Sequence, residues 1–99
     1  MTSRELKNDK QNFINNINQF VEEYNEALKR IKTINSTFTN CEDTLLRNEM
    51  LSYNEKLANN LTTVINKVLR EKGEVINKID REIRRLEREE EELLRKKEE

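Results

Sequence analysis

From Leu6 to Phe38 the apolar residues return at alternating steps of three and four: Leu6, Phe13, Ile17, Phe20, Tyr24, Ala27, Ile31, Ile34 and Phe38, with Lys10 the one polar member. A strand repeats every two residues and cannot gather that series on one side; a helix packed along a seam can. Ile14, Val21 and Leu28 add a third column beside the first two. A stripe this wide exceeds a two-stranded seam and predicts contact with more than one other helix. Thr2-Ser3-Arg4-Glu5 has capping-box spacing and marks the start of this arm. Its outer face carries Asn12, Asn15, Asn16, Asn18 and Asn25, which are weak helix formers, so the arm needs packing to hold its shape.

The stretch NSTFTN, residues 35–40, is poor in helix formers and rich in turn residues. Thr39-Asn40-Cys41-Glu42 then repeats the capping-box spacing, with Asp43 placed for a first turn. A stop followed by a start predicts a turn over 36–41, between helices at 3–35 and 42–97. An uninterrupted rod is the alternative. The fold expected is all-α: a single domain over 1–99, an antiparallel helical hairpin with a longer second helix and a coiled-coil-like seam.

In the second arm Leu46, Met50, Tyr53 and Leu57 keep the rhythm. The stripe then slips one residue at Leu61, with Val64 and Val68 following, and resumes as Ile65, Leu69, Lys72, Ile76, Ile79, Ile83, Leu86, Glu90, Leu93 and Lys97. Such a slip relaxes the supercoil without ending the helix. The register also runs unbroken across Gly73, the only glycine, which favours a continuous helix there over a break. Asn60 and Asn66 flank the slip and could fix register if they lay in the seam.

At 1.5 Å per residue the arms measure about 50 and about 84 Å. Doubling one on the other is expected to leave the last twenty or so residues, a charged tail over 80–99, without an intramolecular partner. Opposite charges in the tail stand at helical separations, Glu82 with Arg85 and Glu92 with Lys96. The tail is either a solvated single helix or a seam that pairs with another chain.

Composition narrows the function classes. Hydrophobic residues make up 33% of the 99 residues, against roughly 45–50% in an average domain, and charged residues 39%. A conventional core is out of reach. Net charge is −1 with both signs interspersed, which gives no field for a nucleic acid. No long apolar run predicts a membrane span, and MTSRELKNDK has no signal-peptide core. The expected location is the cytosol, with export alongside a partner as the alternative. There is no histidine, Cys41 is alone, and no glycine-rich phosphate loop occurs, so neither a metal, a cofactor nor an enzyme activity is expected. The residues expected to bind a partner are Phe13, Ile17, Phe20, Tyr24 and Ile31 in the first arm, and Tyr53, Leu57, Leu61, Ile79, Ile83 and Leu86 in the second. Their work would be knobs-into-holes packing.

Leu46-Arg47-Asn48-Glu49 opening the second helix, Glu71-Lys72, and Leu86-Glu87-Arg88-Glu89-Glu90 through Leu93 resemble the LXG-associated α-helical proteins, small WXG-like hairpin partners of toxins exported by type VII (ESX) secretion. The resemblance covers Leu45 to Lys97, about half the chain. It departs from the WXG pattern in the turn, where no Trp-x-Gly occurs. It also lacks a Tyr-x-x-x-Asp/Glu export signal, since Tyr24 and Tyr53 are each followed by leucine four residues later. The resemblance implies a chaperone-like binding module that stabilises the helical N-terminal region of a toxin, with the export signal on that partner. From the residues alone, the alternative is a self-associating coiled-coil scaffold or spacer.

Overall fold

The computed structural model describes residues 1–98; Glu99, the end of the expected charged tail, lies outside the described residues. Two helices, α1 (Ser3–Thr39) and α2 (Thr44–Glu98), make an all-α hairpin, and no strand occurs among the described residues. At the start of α1 the Thr2 hydroxyl accepts from the Glu5 amide at 3.1 Å, as the capping-box spacing predicts.

The connection lies later than the sequence suggests, at 40–43 and not 36–41. The reason is how the Ser and Thr residues spend their hydroxyls. Thr33, Ser36, Thr37 and Thr39 each donate to the carbonyl four residues back, on Lys29, Lys32, Thr33 and Asn35. Bonded backward in this way, the hydroxyls are accommodated within the helix and do not open a turn. The Cys41 amide then donates to the Phe38 carbonyl at 3.0 Å, closing the end of α1. Asp43 caps the second helix, since its Oδ1 accepts from the Leu46 amide at 3.0 Å. An acidic cap also suits the positive end of the helix dipole.

The contacts gather into two units. One joins residues 1–17 of α1 with α2 from Leu69 onward. There the two segments run antiparallel: Ser3 meets Glu90, Lys7 meets Glu87 and Lys10 meets Asp80. The Glu90 carboxylate accepts from both the Ser3 amide and the Ser3 hydroxyl, each at 2.7 Å. That amide is one of the orphan donors of a helix N-terminus, and the carboxylate satisfies it. Ile83 and Leu86 are buried in this unit. The expectation of an unpartnered final twenty residues is therefore corrected: side chains out to Glu90 are engaged, because the first turn of α1 captures the Glu90 carboxylate. Only residues 91–98 are exposed throughout.

The other unit holds residues 18–68, with the turn inside it. Ile31 and Ile65 are its buried hydrophobic residues. Phe20 and Tyr24 stack one helical turn apart, ring centroids 4.4 Å from each other and tilted by 37°.

α2 passes through Gly73 without a break, and no positive φ occurs among the described residues. The glycine does no conformational work there.

Candidate partner-binding face

Within residues 18–68, the half-buried or buried positions of α2 are Arg47, Met50, Leu51, Asn54, Ala58, Leu61, Ile65 and Val68. Apart from Met50 they form an unbroken series of steps four and three. The row read from sequence, Leu46, Met50, Tyr53 and Leu57, runs one residue ahead of it, and Leu46, Tyr53 and Leu57 are exposed. Two rows thus lie side by side on α2, and the structure packs the second, Arg47 and Asn54 included. No slip occurs at Leu61, which continues the packed series.

One rigid helix has one phase. Leu61 and Ile65 set the phase here, and extending it back toward the turn brings Ala58, Asn54 and Arg47 to the packed side. Tyr53 is consequently 62% exposed while its neighbour Asn54 is 4% exposed. The same offset appears near the end of α1, where Ile34 is 43% exposed and Asn35 is half-buried in its place. Asn35 Oδ1 and Asn54 Nδ2 are buried and have no hydrogen-bond partner. Asn60 and Asn66, the asparagines singled out from sequence, are exposed and do not enter the packing.

The expected binding residues fall into three groups. Ile31, Ile83 and Leu86 are buried within the chain and have no free surface to offer. Phe13, Ile17, Phe20, Tyr24, Leu61 and Ile79 are half-buried. Tyr53 and Leu57 are open to a partner. The third column of α1, Ile14, Val21 and Leu28, is half-buried. Leu46 and Val64 belong with Tyr53 and Leu57: all four are exposed, and the spacing 46, 53, 57, 64 puts them on one side of α2. Beside them is a shallow hollow of about 380 Å³ lined by Leu45, Asn48, Glu49, Ser52, Tyr53 and Lys56.

The charged residues shape the other unit. Ser3's amide, and then its hydroxyl, hold the Glu90 carboxyl below its ordinary range, with Lys7 adding to the effect. Arg85 bridges Glu82 and Glu89 along one face of α2, lowering the Glu82 carboxyl mainly through its hydrogen bond and raising its own affinity for the proton. Arg95 reaches Glu91 at 3.3 Å, whereas the expected Glu92–Lys96 pair does not form. These pairs are open to solvent, which screens them. No group of three or more His, Cys, Asp or Glu among the described residues could hold a metal ion. No described helix is long and apolar enough to cross a membrane.

In comparisons with known proteins, no family model, curated protein or solved structure matches the chain.

Proposed function

We propose that this protein is a non-enzymatic helical binding module, and that the row Leu46, Tyr53, Leu57 and Val64 is the surface it offers. One observation carries the reading: four apolar side chains in helical register stay exposed while polar Asn54, on the adjacent row, is buried. A monomer that kept those positions dry only for itself would place the apolar row inward. Exposed apolar residues aligned on one face mark interaction sites more often than scattered ones do, and a straight apolar row suits another helix.

The partner we propose is the helical N-terminal region of a type VII-secreted LXG toxin. This finer step rests on the resemblance of the second helix to the LXG-associated proteins, and the exposed row supports it by supplying a surface of the right form. The protein would stabilise that region before export.

Calorimetric titration of the chain with such a toxin region tests the proposal. Tyr53→Asp and Leu57→Asp should each abolish binding while leaving helicity unchanged, because neither residue is buried. Full binding by both variants would refute the assignment of the face.

A further inference from the structure

We infer that, in the absence of another helix, the part of this face from Leu46 to Leu57, with the half-buried Met50 on its flank, is covered by a second copy of the chain, packed antiparallel with α2 against α2 in one defined register. The inference rests on the reading of the exposed row as a binding face and adds its regulation: the second copy masks the row until another helix displaces it.

The register follows from the row and its flank. Leu46, Met50, Tyr53 and Leu57 have a/d spacing, and in antiparallel pairs a positions meet d positions. Turning a copy about the point between Leu51 and Ser52 sets Leu46 opposite Leu57 and Met50 opposite Tyr53, twice over by symmetry. The flank of this row has one acid and one base, Glu49 and Lys56, each one residue before a seam position. Both are exposed, and neither takes part in an ion pair within the described chain.

In the proposed register Glu49 of each copy converges on Lys56 of the other, since side chains on a helix lean toward its N-terminus. Sliding by one heptad in one direction brings Lys56 against Lys56, and in the other direction Glu49 against Glu49. Both neighbouring registers are penalised by like charge, and only the central one pairs opposite charges. A parallel pairing sets Glu49 and Lys56 beside Asn54 and Leu61 positions, with no charge partner. The opposite flank, carrying Arg47 and Asn54, is turned to the packed side of its own hairpin, so the copies meet through the free side alone. The hollow beside Tyr53 and Lys56 offers room for the incoming Met50.

The test is the mass of the chain alone, by light scattering and sedimentation across a concentration series. The wild type should be a dimer. Glu49→Lys and Lys56→Glu should each raise the dimer dissociation constant about tenfold, about 1.4 kcal/mol, and the double exchange should return it to within about threefold of wild type. A chain that stays monomeric, or a dimer indifferent to both charge reversals, would overturn the inference. Neither result bears on the toxin-region titration. A monomer that binds the toxin region leaves the proposed function standing; a charge-specific dimer that ignores it removes that partner and leaves the register standing.

Discussion

Glu90 accepts two hydrogen bonds from Ser3, a residue 87 positions earlier, and in doing so ties the first turn of α1 to the far part of α2. The pair is worth attention because it converts a sequence-remote contact into a pH-dependent one.

The amide and hydroxyl of Ser3 bond the charged carboxylate more strongly than the neutral acid, so the Glu90 carboxyl sits below its ordinary value of 4.5 in the folded chain. A depressed folded value means that the stabilisation is fully present above the unfolded pKa and fades as pH falls through the folded one. Chemical denaturation from pH 7 down to 2.5 should show stability falling below about pH 4.5. Glu90→Gln should remove part of that slope and lower stability at pH 7. An identical acid profile in the variant would contradict the latch.

Gly73 has no conformational demand, and a Cβ built there meets nothing within 4 Å. Gly73→Ala should therefore stabilise the protein by about 1 kcal/mol, the helix-interior difference between the two residues. Thermal melting followed by circular dichroism should shift upward by about 4–8 °C. No shift, or a downward one, would imply that α2 is not continuous at this point.

Asn54 buries an amide nitrogen with no acceptor. Leaving such a group unpaired costs about 1–3 kcal/mol, so Asn54→Leu should raise stability by an amount in that range. Urea unfolding checks the gain. A loss of stability would show that the asparagine has a partner in solution.

The two rows should separate in their response to truncation. Ile65→Ala, at a buried position of the packed row, should cost about 2–4 kcal/mol. Leu57→Ala, at a position 37% exposed, should cost well under half as much in the dilute monomer and act chiefly on association. Equal losses in dilute denaturation experiments would mean that the rows have been assigned the wrong way round.

Ending the chain at Glu90 removes Leu93 and Leu94, both about three-fifths exposed. Melting of the shortened chain should stay within about 2 °C of the 99-residue chain, as expected for changes at exposed segments away from buried contacts. A larger drop would show that the tail is covered.

The first helix was largely legible because its apolar residues offer one phase: from Leu6 through Ile31 the series read from spacing is the series found half-buried or buried, with Lys10 included. The phase of α2 was not. Leu46, Tyr53 and Leu57 look better on paper than Arg47, Asn54 and Ala58, and a local reading chooses them. The choice is made by Leu61 and Ile65, which lie several turns on and are carried back by the rigidity of the helix. The turn was misplaced for a related reason. Ser and Thr weaken helices when their hydroxyls compete with the backbone, but at Thr33, Ser36, Thr37 and Thr39 they bond backward within a helix that runs on through them. Capture of Glu90 by Ser3 was invisible, since nothing in a Thr-Ser-Arg-Glu cap announces a distant acid.

Cys41, half-buried in the turn, is the chain's single thiol. Its position makes it a built-in ruler that needs no engineering. Spin labels attached there in two associated copies would stand on the order of 30 Å apart in the register described, with about eighteen residues of α2 at 1.5 Å each and the three turn residues between their levels, whereas a parallel alignment would bring them side by side. One dipolar distance on the native chain thus reports the direction in which two molecules meet.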